Sequence, residues 1–261
     1  MSTWLTKFLT KAAIASKIVV RSKKESMTSH IISWSYSKLG DFEKCKLSAK
    51  LKHLDRIPEP ERPLPPGKTE HANDRGSRIH DSCEHFVDGT GPFIAEMKEF
   101  EQEFIHMKHL HAAGKVSLEG EWAHDRNWDP APWKTGWLRL KLDAMVHASE
   151  TEAVVIDYKS GRKFGNEVKH AEQLQLYQLS AFLRFPKLEV VHAELWYLDA
   201  KEITSSTYTR DQGLRFKRSF DKRGTALTSA TEFPANPNVF SCRWCPYGPD
   251  GTGHCSVGVR K

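Results

Sequence analysis

Apolar residues along this chain fall at helical spacing, then in alternation, then at helical spacing again, and that rhythm predicts the elements. Within SWSYSKLGDFEKCKLSAKLKHLDRI (33–57), Leu39, Phe42, Leu47 and Leu51 form one stripe. A single helix is predicted there, with Ser35 or Ser37 as its N-cap. PEPERPLPPGK (58–68) is a connector, because proline removes the donors a helix needs. Further helices are predicted over about 72–88 and 95–113. Three strands follow: VSLEGEWA (116–123), WLRLKLDAMVHA (137–148) and EAVVIDYKS (152–160). The short polar turn Ser149-Glu150-Thr151 joins the last two as a hairpin. Helical spacing returns in NEVKHAEQLQLYQLSAFLRF (166–185), alternation in VVHAELWYLD (190–199) and EITSSTYT (202–209), and a last helix covers about 211–229. Nothing repeats. The order of elements predicts one α/β domain over 28–261, a mixed central sheet flanked by helices.

Composition narrows the class. The chain has 261 residues, 39% of them hydrophobic, enough for one sizeable core or a core with a small appendage. No apolar run reaches the roughly 18 residues a bilayer span needs, so a soluble protein is expected. A formal net charge of +6 suits a partner covered in phosphates. Eight tryptophans point to stacking surfaces or, more plainly, to core packing. Five cysteines, an odd number, do not form a secreted disulfide framework in a chain this long, and a reducing cytoplasm is the expected setting. Residues 1–27 are basic and serine-rich, with an apolar stretch broken by lysines. They lack the uninterrupted apolar region of a secretory signal. A transit peptide, a membrane-surface helix and a dispensable extension before Met27 stay open, the extension being favoured.

The candidate chemistry lies in VVIDYKSG (154–161). Alternate side chains of a strand share a face, so Asp157 and Lys159 point the same way about 7 Å apart, and Tyr158 points the other way. Taken alone, such a pair is an ordinary ion pair at a strand end. The preceding strand changes this. Leu138, Leu140 and Leu142 face one way while Arg139, Lys141 and Asp143 face the other, and a hairpin brings Asp143 beside Asp157. Two neighbouring carboxylates repel unless a cation lies between them. Mg²⁺ prefers oxygen ligands and keeps several waters, so two carboxylates suffice for it.

Three further features fall in order around this hairpin: Arg75-Gly76-x-x-x-His80 on a predicted helix, Gly161 after Asp157-x-Lys159, and Gln173-Leu174-x-x-Tyr177 on the next helix. Together these residues resemble the PD-(D/E)XK nuclease superfamily, in particular its RecB-like branch, which includes the nucleases of CRISPR spacer acquisition and many phage exonucleases. The resemblance spans roughly 33–256. It implies a restriction-endonuclease-like core and metal-dependent hydrolysis of DNA, as an exonuclease. His80, Asp143, Asp157 and the carbonyl of Tyr158 are the implied ligands of Mg²⁺ or Mn²⁺. Lys159 is the implied positioner of water, with Gln173 and Tyr177 contacting the lysine or the DNA backbone. Basic residues such as Arg75, Arg78, Arg162 and Lys163 would track phosphates. The implied partners are single- or double-stranded DNA ends and a recombination or replication protein, in the cytoplasm, or the host cytoplasm for a phage-encoded chain. One departure is Gly136, seven positions ahead of Asp143 where the branch has a glycine closer by. Glu84, Glu121 and Glu172 are acids for a second metal, with a surface role read first.

The resemblance extends to the cysteines. Members of the branch carry one cysteine ahead of the nuclease core and three after it, as Cys45, Cys242, Cys245 and Cys255 are arranged here. That implies a [4Fe–4S] cluster in a cysteine-rich tail (240–256). Four thiolates also suit Zn²⁺, for which His254 is an alternative ligand. Cys83 is read as a core residue. Two rivals stand beside the nuclease: a catalytically silent nuclease fold that holds DNA or assembles a complex, and a zinc-stabilised nucleic-acid adaptor. Loss of a catalytic residue would favour the first, and none is missing.

Overall fold

The computed structural model describes residues 30–161 and 163–259. The N-terminal extension and Arg162 fall outside them. The helices, in chain order, are α1 (Tyr36–Lys44), α2 (Lys46–His53), α3 (Ala72–Asp88), α4 (Glu101–Ala112), α5 (Glu167–Arg184), α6 (Arg210–Leu214), α7 (Lys217–Thr228) and α8 (Val239–Cys242). The strands are β1 (Val116–His124), β2 (Leu138–His147), β3 (Glu152–Lys159), β4 (Val190–Tyr197) and β5 (Glu202–Thr209). They form one five-stranded sheet in the order β1-β2-β3-β4-β5. Every neighbouring pair is antiparallel except β3–β4, which α5 joins as a parallel crossover. This is the mixed α/β core expected. Among the described residues no helix is long and apolar enough to cross a membrane.

Two buried clusters sandwich the sheet. One takes Leu138, Leu140, Leu142, Met145, Ala153 and Val155 against α1, α5 and α7. The other packs Ile79, Cys83 and Val87 of α3 and Phe104 and Met107 of α4 against Ala144, Ile156, Tyr158 and Trp196. Trp34, Trp122, Trp128, Trp137 and Trp196 are all buried, so core packing accounts for five of the eight tryptophans. The hairpin turn forms as expected, with the Ser149 N–H donating to the Glu152 carbonyl at 3.0 Å. Ser35 caps α1, accepting from the Lys38 N–H.

Three predicted helices are interrupted. The first breaks at Cys45, whose backbone is extended (φ −161°, ψ 112°). The break lets the returning C-terminal segment dock there: the Leu47 N–H donates to the Pro234 carbonyl at 3.3 Å, and the Asn236 N–H to Cys45 Sγ at 3.4 Å. Periodicity could not show this, because the stripe of apolar residues continues across the break. Residues 95–113 begin instead as a 3₁₀ turn (Ala95–Phe100), and only α4 is α-helical. The last helix divides at Arg215–Phe216, where Phe216 turns onto Tyr208 with rings 5.7 Å apart.

Candidate active site

The β2–β3 hairpin pairs Ala144 with Ile156 and Met145 with Val155, a register whose next step sets Asp143 opposite Asp157. Backbone pairing stops one step short of it. In place of a ladder bond, the Tyr158 N–H donates to Asp143 Oδ2 at 2.6 Å. The alternation expected along β2 also fails here: Leu142 and Met145 share one cluster, while Ala144 enters the other. Opposite, the β1–β2 ladder skips Glu119, which lies at φ 40° in the left-handed region. Irregular pairing of this sort re-aims a side chain near a functional site.

Around these carboxylates the expected residues converge. On α3, His80 Nδ1 lies 3.0 Å from Asp143 Oδ1. Lys159 Nζ lies 2.5 Å from Asp157 Oδ2 and donates to Gln173 Oε1 at 2.9 Å. Gln173 in turn donates through Nε2 to the Tyr177 hydroxyl at 2.7 Å. Gln173 and Tyr177 stand four residues apart on α5, so one helical face presents both. The six side chains thus form two arms meeting at the two carboxylates: His80 hydrogen-bonded to Asp143, and Asp157 ion-paired to Lys159, which is hydrogen-bonded onward to Gln173 and Tyr177.

Their electrostatics follow from burial. Asp157 is 3% exposed, and desolvation pushes its carboxyl up to about 6, with the pull of Lys159 opposing and the charge of Asp143 adding. The Lys159 ammonium touches Oδ2 without aligning a hydrogen bond to it, so that oxygen has no aligned donor. Burial works against charge on His80, yet the Asp143 hydrogen bond and both carboxylates outweigh it and hold the imidazole above its usual range. Tyr177 is held well above the usual phenol range by burial and by the carboxylates.

Among the described residues no three His, Cys, Asp or Glu side chains form a ready-made metal group. Even so, the donor set fits a hard divalent cation: two carboxylates and an imidazole, with one buried oxygen that only an ammonium approaches. The positive group now beside Asp157 is Lys159 itself.

Sequence reasoning missed three neighbours. Glu119 faces the position of Asp143 across β1–β2, and burial and then Asp143 raise its carboxyl above the usual range. Asp199, just beyond β4, binds the Arg75 guanidinium at 2.8 Å through both oxygens and accepts the Gly161 N–H at 2.7 Å, tying α3 to the loop after β3. His170 Nδ1 lies 3.1 Å from the Tyr197 hydroxyl, and burial and then the Lys159 charge push its ring down to about 4. Only the first had a signal in sequence, an acid beside a glycine inside a strand; the others depend on the parallel register of β3 and β4.

Of the predicted phosphate-tracking cations, the three among the described residues are already paired: Arg75 with Asp199, Arg78 with Glu70 and Glu96, Lys163 with Glu202. Glu172 pairs with Arg223 and accepts from Tyr36, and Glu121 is exposed beside Lys141. Gly161 has φ +97°, where only glycine is unstrained. Gly136 serves close packing elsewhere, since a Cβ there would lie 2.5 Å from that of Ala123.

At the far end, Cys45, Cys242, Cys245 and Cys255 line one cavity of about 180 Å³ between α2 and the tail. Among the described residues no three of these thiols form a ready-made metal group. His254 is turned to the Thr252 hydroxyl at 2.8 Å and does not line the cavity. Cys83 is fully buried in the second cluster.

Comparison with known proteins bears on the family. The family model of the PD-(D/E)XK nuclease superfamily matches residues 33–249. The chain belongs to that superfamily. Its members are generally nucleases, which act on nucleic acid. No curated protein matches the chain. Among solved structures, the crystal structure of SSO0001 is similar over 88% of each chain, at 13% identity and a TM-score of 0.38, too distant to carry weight here.

Proposed function

We propose that this superfamily member is a Mg²⁺- or Mn²⁺-dependent DNA nuclease of the RecB-like branch, acting on strand ends, with residues 28–261 as its single domain in a reducing cytoplasm. The observation that carries this reading is the buried Asp143–Asp157 pair with Lys159 held between Asp157 and Gln173. A carboxylate pair this buried is stable only with a cation beside it. Asp143, Asp157, His80 and the Tyr158 carbonyl would hold the metal, which supplies an acidified water and charge stabilisation at the phosphate. The Tyr158 N–H and His80 fix the two Asp143 oxygens. Gln173 holds the Lys159 ammonium at the mouth of the site, where it orients water and offsets charge developing on the phosphate oxygens. Tyr177 fixes the Gln173 amide through its other end.

Cleavage of linear single- and double-stranded DNA is the test. Activity should vanish in excess EDTA and return with Mg²⁺ or Mn²⁺. Ca²⁺, with looser coordination, should bind without rapid turnover. Lys159→Ala should lower cleavage by about 10²-fold or more, and, because it removes the cation beside the buried Asp157, it should also lower stability in metal-free protein. Cleavage that persists in chelator, or Lys159→Ala within a few-fold of the parent, would sink the mechanism.

We also propose that Cys45, Cys242, Cys245 and Cys255, which line one cavity, hold a [4Fe–4S] cluster, with Zn²⁺ as the alternative. Its role would be to staple the tail to the break between α1 and α2.

A further inference from the structure

Most basic side chains near the site are neutralised by carboxylates, but Lys38, Arg139 and Arg56 make no ion pair among the described residues. Two of them share a groove. Trp34 bridges to Leu138, with the Arg139 N–H donating to the Trp34 carbonyl at 2.9 Å, and this sets the first turn of α1 beside the start of β2. Lys38 Nζ reaches only the Ser33 carbonyl (3.3 Å) and hydroxyl (3.4 Å). Arg139 donates only to backbone, the Lys134 carbonyl at 2.8 Å and the Gly136 carbonyl at 3.3 Å, and lies over the Trp133 ring at 5.7 Å. The groove they line encloses about 430 Å³, and Gln173 and Tyr177 form its inner wall. Gln173 is the residue that grips Lys159, so the groove abuts the catalytic lysine.

Two like charges held together in a half-buried groove repel, and burial followed by the Arg139 and Arg56 charges lowers the affinity of Lys38 for its proton. An anion between them removes that cost. The volume falls in the range of about 300–1,000 Å³ typical of small-ligand sites, and an aromatic wall beside paired cations is how single strands are held.

We propose that this groove seats one nucleotide of a single-stranded segment, its phosphate between Lys38 and Arg139 and its base against Trp133, next to the phosphodiester presented to Asp143, Asp157 and Lys159. The identity of the anion rests on the nuclease reading; the pairing of unpaired cations does not.

The test is binding of a fluorescent single-stranded oligonucleotide to the full chain in EDTA, across a salt series. Lys38→Gln and Arg139→Gln should each weaken binding roughly tenfold and flatten the slope of log K against log salt by about 0.7, the value for one phosphate contact on a single strand. Arg139→Lys should restore the slope but not the full affinity, since one ammonium cannot donate as a fork. Trp133→Ala should weaken binding with the slope intact. Lys98→Gln, an exposed charge on the other face of the sheet, is the control. Thermal midpoints of Lys38→Gln and Arg139→Gln at or above the parent would show that repulsion, not folding, was removed. Parental affinity and slope in both variants, or equal loss in the control, would overturn the proposal. So would inorganic phosphate displacing the oligonucleotide at micromolar concentration, which would assign the pair to a free anion. Cleavage of DNA by the parent in Mg²⁺ is scored separately. A parent that cleaves while the variants bind normally refutes the groove alone, and a parent that neither binds nor cleaves refutes both.

Discussion

Asp157→Asn in metal-free protein tests the site without relying on cleavage. Burial raises the Asp157 carboxyl from its ordinary 3.8 to about 6, so the folded protein prefers the neutral acid. That preference is worth about 3 kcal/mol, and solvent screening discounts little of it for a group only 3% exposed. A raised carboxyl contributes stability that is complete below pH 3.8 and is lost as pH climbs through 6. At pH 8 in EDTA the parent therefore carries the cost of a buried charge, and the isosteric amide does not. The amide variant should be more stable than the parent there by up to about 3 kcal/mol, roughly 6–12 °C in midpoint. The gain should shrink toward zero by pH 4, where the parent is neutral too. Urea unfolding followed by tryptophan fluorescence at pH 4, 5, 6 and 8 measures it. Millimolar Mg²⁺ should stabilise the parent by mass action and leave the variant unmoved, reversing their order. A variant less stable than the parent at pH 8, or a difference that does not change with pH, would refute the account of Asp157.

The remaining predictions concern the loop and the tail. Gly161→Ala meets no neighbouring atom but forces φ +97° on an alanine, so it should cost about 1–2 kcal/mol in urea unfolding and slow cleavage, by loosening the contact with Asp199. Unchanged stability would mean that the loop relaxes freely. Anaerobically purified protein should be brown through thiolate-to-iron charge transfer and contain iron, and Cys245→Ala should lose both colour and stability. Colourless protein with stoichiometric zinc would transfer the cysteines to the zinc reading, and protein free of both metals would remove the centre.

Much of the site was legible because it is built from local periodicities. Asp157 and Lys159 share a face through the period of two, Gln173 and Tyr177 through the helical turn, and the three-residue turn after Ala148 let the hairpin register set Asp143 opposite Asp157. What was not legible depended on strands that meet only in the folded chain. Asp199 reaches Gly161 because β4 lies parallel to β3, and no local pattern encodes which strand is the neighbour. The cations offered as phosphate contacts illustrate the same limit: Arg75 and Arg78 lie beside the motif in sequence, yet distant carboxylates claim them.

By itself the sequence determined the element types, the mixed sheet flanked by helices, and the order of acid, lysine, glutamine and tyrosine, since each follows from spacing along a few residues. The tertiary structure alone decided where helices break, where the β2 alternation slips at Asp143, and which cations keep a free charge. Those outcomes turn on long-range competition for backbone and charge partners. The Leu47 N–H goes to Pro234, while Lys38 and Arg139 are left facing a groove without a carboxylate.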